Sequence, residues 1–175
     1  MDIKTAIKQL THFDSSGRFV YKTGDLKKLF PKDSERALSA GINRLVKEGI
    51  LIRASKGVFV YGLSRNKHKH PLEWVARTMR RGEHAYISLE SALSEYGVIS
   101  QIPIDRVTVM TTGRSGEYKT PFGTIEFTHT KRSPVDIAQS TLIADMPLPI
   151  ANSKAALRDL KRVGRNMHLV GNTDD

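Results

Sequence analysis

Residues 33–61, DSERALSAGINRLVKEGILIRASKGVFVY, confine the chain to a narrow set of folds. Asp33 or Ser34 can cap a helix that runs to about Glu48, and Gly49 supplies the left-handed residue that ends it. At about 100° per residue, Leu38, Ile42, Leu45 and Val46 gather on one side of this helix. Lys32, just before it, and Arg36, Ser39, Asn43 and Lys47 gather on the other, with the small Ala40 among them. No acid falls on that second side, since Glu35 and Glu48 lie at its margins or ends. An ordinary solvated face mixes acids with bases. A helix that enters the major groove needs donors for phosphates and base edges, and small residues where it approaches closely.

Two β-prone runs follow, Ile50–Ile52 and Val58–Tyr61, on either side of Arg53-Ala54-Ser55-Lys56-Gly57. Gly57 permits the positive φ of a tight turn, and Arg53, Ser55 and Lys56 decorate its tip. Upstream, Ile3, Ala6, Ile7 and Leu10 have helical spacing, Asp14–Gly17 reads as a turn, and Phe19-Val20-Tyr21 as a short strand. Thr23 can cap a second helix over Asp25–Phe30, which Pro31 stops. Three helices followed by a basic hairpin is the order of a winged helix-turn-helix, a module that reads DNA. Taken alone, the hairpin is an ordinary surface turn; its place after the helices makes it a wing.

The charge distribution agrees. The chain carries a net +10, but residues 1–70 hold 15 Lys+Arg against 6 Asp+Glu, a net +9, while residues 71–175 hold 13 against 12. A basic surface attracts the phosphate backbone and supplies sequence-independent affinity. A generally basic, solvated surface is the bland alternative, and it does not explain why the excess coincides with the helix and hairpin.

Residues 64–70, SRNKHKH, contain no apolar side chain and read as a linker. The expected organisation is a winged helix-turn-helix over 1–63, a basic linker over 64–70, and a mixed α/β domain over 71–175, an α+β chain overall. His68 and His70 alternate without a Cys or a neighbouring acid, a poor metal site.

The second domain opens with Pro71 at a helix N1 position. Leu72, Val75, Ala76 and Met79 form its buried stripe, Arg77, Arg80 and Arg81 an outward basic edge, and Trp74 lies off the stripe. Tyr86-Ile87-Ser88 reads as a strand leading into a helix that Ser88 caps and Gly97 ends. Arg106–Thr112 and Gly123–Thr130 alternate as strands, and Gly113–Pro121 between them reads as a turn-rich connection. Asp136–Ala144 mixes helical and extended signals. Ser153 can cap a last amphipathic helix with Arg158, Lys161, Arg162 and Arg165 on its polar side, before a frayed NTDD tail.

The absence of cysteine excludes disulfides and thiolate chemistry and suits a cytoplasmic setting. No apolar run approaches a membrane span, and the N-terminus lacks a signal-peptide pattern. No nucleophile elbow, phosphate loop, zinc spacing or kinase signature appears, so neither enzymatic activity nor a cofactor is expected. Gly113-Arg114-Ser115-Gly116 has the composition of an anion cradle but more often makes a hairpin turn. The spacing of Ser88, Ser91, His84 and Asp105 does not favour a hydrolase set over capping and surface roles. His129 alternates with Phe127 and Ile125, which suits an inward, hydrogen-bonded histidine at least as well as a functional one.

Four segments in order, INRLVKEGILIRASKGVFVYGL, YISLESALSEYGVI, VTVMTTGRSGEYKTPFGTIEFTHTKR and LPIANSKAALRDL, cover most of residues 34–162. In them the chain resembles the AbiEi family of abortive-infection antitoxins, regulators of type IV toxin–antitoxin systems encoded beside a nucleotidyltransferase-like toxin. The resemblance implies an N-terminal winged helix that binds inverted repeats upstream of its own operon and represses it. It also implies a C-terminal α/β domain needed to neutralise the toxin, directly or without a stable complex. By matched position, DNA-contacting roles fall on Arg36, Ser39, Asn43, Arg44, Arg53 and Lys56. The first places to look for a toxin-opposing surface are Arg77, Arg80 and Arg81, then Arg158, Lys161 and Arg162. With no heptad repeat, the free chain is expected to be a monomer that binds paired sites cooperatively. The alternative is a plain winged-helix regulator whose second domain senses a ligand or oligomerises.

Overall fold

The computed structural model of the chain describes residues 1–100 and 105–171; the expectation of a frayed tail at 172–175 lies outside them. The chain is α+β and divides into two compact units, Met1–Met79 and Arg80–Asp175.

The first unit comprises α1 (Ile3–Asp14), β1 (Val20–Lys22), α2 (Thr23–Leu29), α3 (Glu35–Lys47), β2 (Leu51–Ser55), β3 (Val58–Tyr61) and α4 (Pro71–Met79). Ser34 caps α3 by accepting the Ala37 N–H at 3.1 Å. Thr23 begins α2 rather than capping it; the Asp25 carboxylate instead reaches back to the Lys22 N–H at 2.8 Å. The strands form an antiparallel sheet in the order β1-β3-β2. Leu38, Ile42 and Leu45 of α3 are buried together with Leu10, Tyr21, Leu26, Leu51 and Val60, so the apolar stripe read from the sequence is a core face. Two glycines are structural necessities here. Gly57 turns the β2–β3 hairpin at φ +72°, and a Cβ on Gly62 would stand 2.3 Å from the Gly49 carbonyl oxygen.

Two expectations fail in this unit. The sequence places the helix opening at Pro71 in the second domain, yet α4 lies in the first unit, against β1 and β3. Its half-buried Trp74 meets Phe19 edge-on at 6.0 Å between centroids. The 64–70 stretch is not a free linker. Buried Asp14 accepts from the Ser64 hydroxyl and from the Arg65 N–H at 3.0 Å, and Asn66 Nδ2 donates to the Asp14 carbonyl at 2.8 Å. Polar composition marked this segment as solvated, but its polar groups satisfy a buried carboxylate. Those bonds hold Asp14 below the usual carboxylate range although burial pushes the other way.

The second unit comprises β4 (Ala85–Ile87), α5 (Leu89–Glu95), β5 (Arg106–Thr111), β6 (Gly116–Thr120), β7 (Gly123–His129), α6 (Pro134–Ser140), β8 (Thr141–Leu142), β9 (Ile150–Ala151) and α7 (Ser153–Val163). The strands make a mixed sheet in the order β6-β7-β5-β4-β9-β8, with β5–β7 and β4–β9 parallel. The 113–121 connection contains an edge strand, β6, paired antiparallel to β7. Its polar alternation, Glu117 and Lys119 outward with Tyr118 between, hid it from an apolar-pattern reading. The mixed signal at 136–144 is real: α6, capped by Ser133, runs directly into β8. Asn152 caps α7 by accepting the Ala155 N–H, one residue before the expected Ser153.

Candidate nucleic-acid interface

The outer face of α3 carries Arg36, Ser39, Ala40, Asn43, Arg44 and Lys47, all exposed, and Lys32 is exposed just ahead of it. Glu35 at the margin pairs with Lys27 of α2 at 3.0 Å, an exposed contact of small energetic weight. At the hairpin, Arg53 and Lys56 are exposed and Ser55 is half-buried. The hairpin turn is anchored, since the Gly57 carbonyl accepts the Thr23 N–H at 3.0 Å. An extra residue in β2 between Arg53 and Ser55 interrupts the regular pairing with β3.

Two of the expected residues touch. Arg53 Nη2 donates to Asn43 Oδ1 at 3.3 Å. The Arg53 guanidinium also lies 4.9 Å over the ring of Phe59, its partner across the hairpin. Phe59 as a platform is not legible in the sequence: counting back from the Ser55–Val58 pair puts 54 opposite 59, and only the bulge between Arg53 and Ser55 brings 53 opposite 59. Arg18, another cation of this unit, is committed to structure, paired with Asp25 at 3.2 Å and stacked on Tyr21.

The outward basic edge expected of Arg77, Arg80 and Arg81 is interrupted at Arg80. Arg77 is exposed on α4 and stacks on Trp74 at 5.1 Å. Arg80 is buried, a correction to its outward placement: it lies beyond the end of α4, 3.9 Å over Phe127, and donates to the Arg114 carbonyl at 2.9 Å. Arg81 is exposed. On α7, Lys161 and Arg162 are exposed, whereas Arg158 is half-buried against Asp159 at 3.4 Å.

The serines weighed for hydrolase chemistry are occupied structurally. Ser88 occupies the N-cap position of α5, but its hydroxyl donates to Asp159 at 2.8 Å instead of capping. Ser91 Oγ accepts the Thr108 N–H at 2.9 Å. His129 lies at the exposed end of β7, not inward, with Nδ1 2.7 Å from the Gly113 carbonyl. Among the described residues, no three His, Cys, Asp or Glu side chains gather as metal ligands, and no helix is long and apolar enough to cross a membrane.

No protein-family model and no curated protein matches the chain. Among solved structures it is similar to the crystal structure of the RV2827C protein from Mycobacterium tuberculosis, with 16% identity and a TM-score of 0.57 over 90% of this chain. The chain covers 60% of that protein's length. At this identity the likeness is one of fold alone.

Proposed function

We propose that the first unit is a winged helix-turn-helix that binds duplex DNA, with α3 as the reading helix and the β2–β3 hairpin as the wing. The observation that carries this reading is the exposed, acid-free face of α3, Arg36, Ser39, Asn43 and Lys47, linked to the hairpin through Arg53. Exposed donors on one rigid helix face suit phosphates and base edges alike. The basic excess of the first 70 residues supplies the long-range attraction.

With the AbiEi resemblance, the chain is an antitoxin that represses its own operon at inverted repeats and neutralises a nucleotidyltransferase-like toxin. On this reading it acts in the cytoplasm, has no catalytic role, and is a monomer that binds paired sites cooperatively. The test has two arms. Binding to the DNA upstream of its own reading frame should weaken at least tenfold in an Arg36→Ala/Asn43→Ala variant at physiological salt. Growth of cells expressing a neighbouring nucleotidyltransferase gene should recover when this chain is co-expressed. Equal binding by wild type and variant sinks the reading helix; no rescue sinks the antitoxin.

A second reading, a plain regulator with an oligomerising second domain, is favoured by one observation. Leu142 and Ile143, at and just past the edge strand β8, are 52% and 97% exposed. Sedimentation of the free chain separates the two: a stable dimer favours the regulator.

A further inference from the structure

Asn43 and Arg53 come from different elements, α3 and β2, and their contact determines how the asparagine amide faces. A guanidinium has N–H donors and no acceptor, so the atom Asn43 turns toward Arg53 is its carbonyl oxygen, at 3.3 Å. Nδ2 therefore points away from Arg53. The guanidinium is itself steadied over Phe59, which is only 2% exposed. Both polar side chains are exposed, on the face of α3 and at the adjoining strand.

An unconstrained asparagine reads adenine, accepting from N6 at Oδ1 while Nδ2 donates to N7. Here Oδ1 is already engaged and a cation stands beside it. An adenine amino group would have to compete with that guanidinium for Oδ1. Guanine presents N7 and O6, two acceptors side by side, which the guanidinium N–H groups and Asn43 Nδ2 can meet without competing for Oδ1. We propose that Asn43 and Arg53 form a single unit that reads guanine in the major groove, with Arg53 the positioning residue that occupies Asn43 Oδ1 and so disfavours adenine. This rests on α3 being the reading helix, and it adds which base edge that helix selects and which residue of the wing imposes the choice.

The test is selection of the full chain on duplexes with a randomised central segment, followed by measurement of the base preference at each position. Wild type should enrich guanine at a position whose preference disappears in Asn43→Ala. Arg53→Met should shift that same position toward adenine, changing the guanine-to-adenine ratio by about tenfold or more. Arg53→Lys, which keeps the charge but loses the planar fork, should lose the guanine preference while retaining the salt dependence of binding. Placing 7-deazaguanine at that position should weaken wild-type binding several-fold, a measurement that needs no variant to fold. Selection of adenine by wild type at the Asn43-dependent position, or guanine retained there by Arg53→Met, overturns the pairing. If wild type binds no duplex even at low salt, DNA reading itself fails and the pairing with it. Specific enrichment by wild type with an unchanged base choice in Arg53→Met overturns the pairing alone.

Discussion

Arg165 grips Glu90 through two parallel hydrogen bonds, Nε to Oε1 at 2.8 Å and Nη2 to Oε2 at 3.1 Å, across 75 residues of sequence. Glu90 lies in the first turn of α5, and Arg165 follows Gly164, whose left-handed conformation ends α7. The bidentate pair therefore ties the start of one helix to the end of another. Asn166 adds a third bond to the same carboxylate at 2.9 Å, and Arg165 also pairs with Glu126 of β7.

This pair makes stability depend on pH in a defined direction. Burial pushes the Glu90 carboxyl up, but the bonds from Arg165 and Asn166 outweigh it and hold the group below the usual carboxylate range. A lowered folded-state pKa adds stability that is full above the unfolded value of 4.5 and is lost as pH falls through the folded one. Urea midpoints should therefore fall with acidification below about pH 5, and Glu90→Gln should flatten that fall. Arg165→Met, which leaves a buried carboxylate without its cation and with only the Asn166 bond, should cost about 2 kcal/mol at neutral pH, less than a fully buried pair because Arg165 is about a third exposed. An unchanged pH profile in Glu90→Gln would show the pair to be inconsequential.

Asp159, 1% exposed on α7, gathers the hydroxyls of Tyr86 at 3.0 Å and Ser88 at 2.8 Å, and lies beside Arg158 and Arg132 at 3.4 and 3.7 Å. Burial, then the Asp159 charge, pushes the Tyr86 hydroxyl well above the ordinary tyrosine range, so it stays a donor. Asp159→Ala should destabilise the chain by about 3 kcal/mol, and Tyr86→Phe by about 1 kcal/mol. Because the two share one bond, a double-mutant cycle should give less than the sum. Strict additivity in urea denaturation would deny the coupling.

Two glycines should respond differently to alanine. Gly62→Ala drives a Cβ into the Gly49 carbonyl oxygen, and backbone must move, costing about 2–3 kcal/mol. Gly49→Ala meets no atom within 4 Å but must hold φ +73°, costing about 1 kcal/mol. Thermal unfolding of both variants should rank them in that order.

The DNA-binding reading carries its own electrostatic signature. Binding of a duplex should fall steeply as salt rises, and Arg36→Ala or Lys47→Ala should each reduce the logarithmic slope by about one if that side chain meets a phosphate. Fluorescence anisotropy over a salt series reads this directly. A flat response in wild type would remove α3 as the docking surface.

Much of the first unit was legible because its signals are local. Ser34 caps α3, Gly57 turns the hairpin, and the four- and three-residue spacing of Leu38, Ile42 and Leu45 predicts the buried face. The same local reasoning placed Arg36, Ser39, Asn43 and Lys47 on one exposed side, because helical geometry alone relates them. It misplaced Arg80, since a helical wheel extended past Met79 gives an outward direction to a residue no longer in the helix. The tertiary structure alone decided what depends on distant partners. Asp14 closes over Ser64–Asn66, β6 pairs with β7 despite its polar pattern, and Glu90 meets Arg165. Capping, turns and amphipathic periodicity are energies of neighbours in sequence, whereas a buried carboxylate takes its partner from whichever segments the core brings within hydrogen-bonding reach. That is why the donor face of α3 could be read from residues 33–61, while the Arg53–Asn43 contact that orients it required the fold.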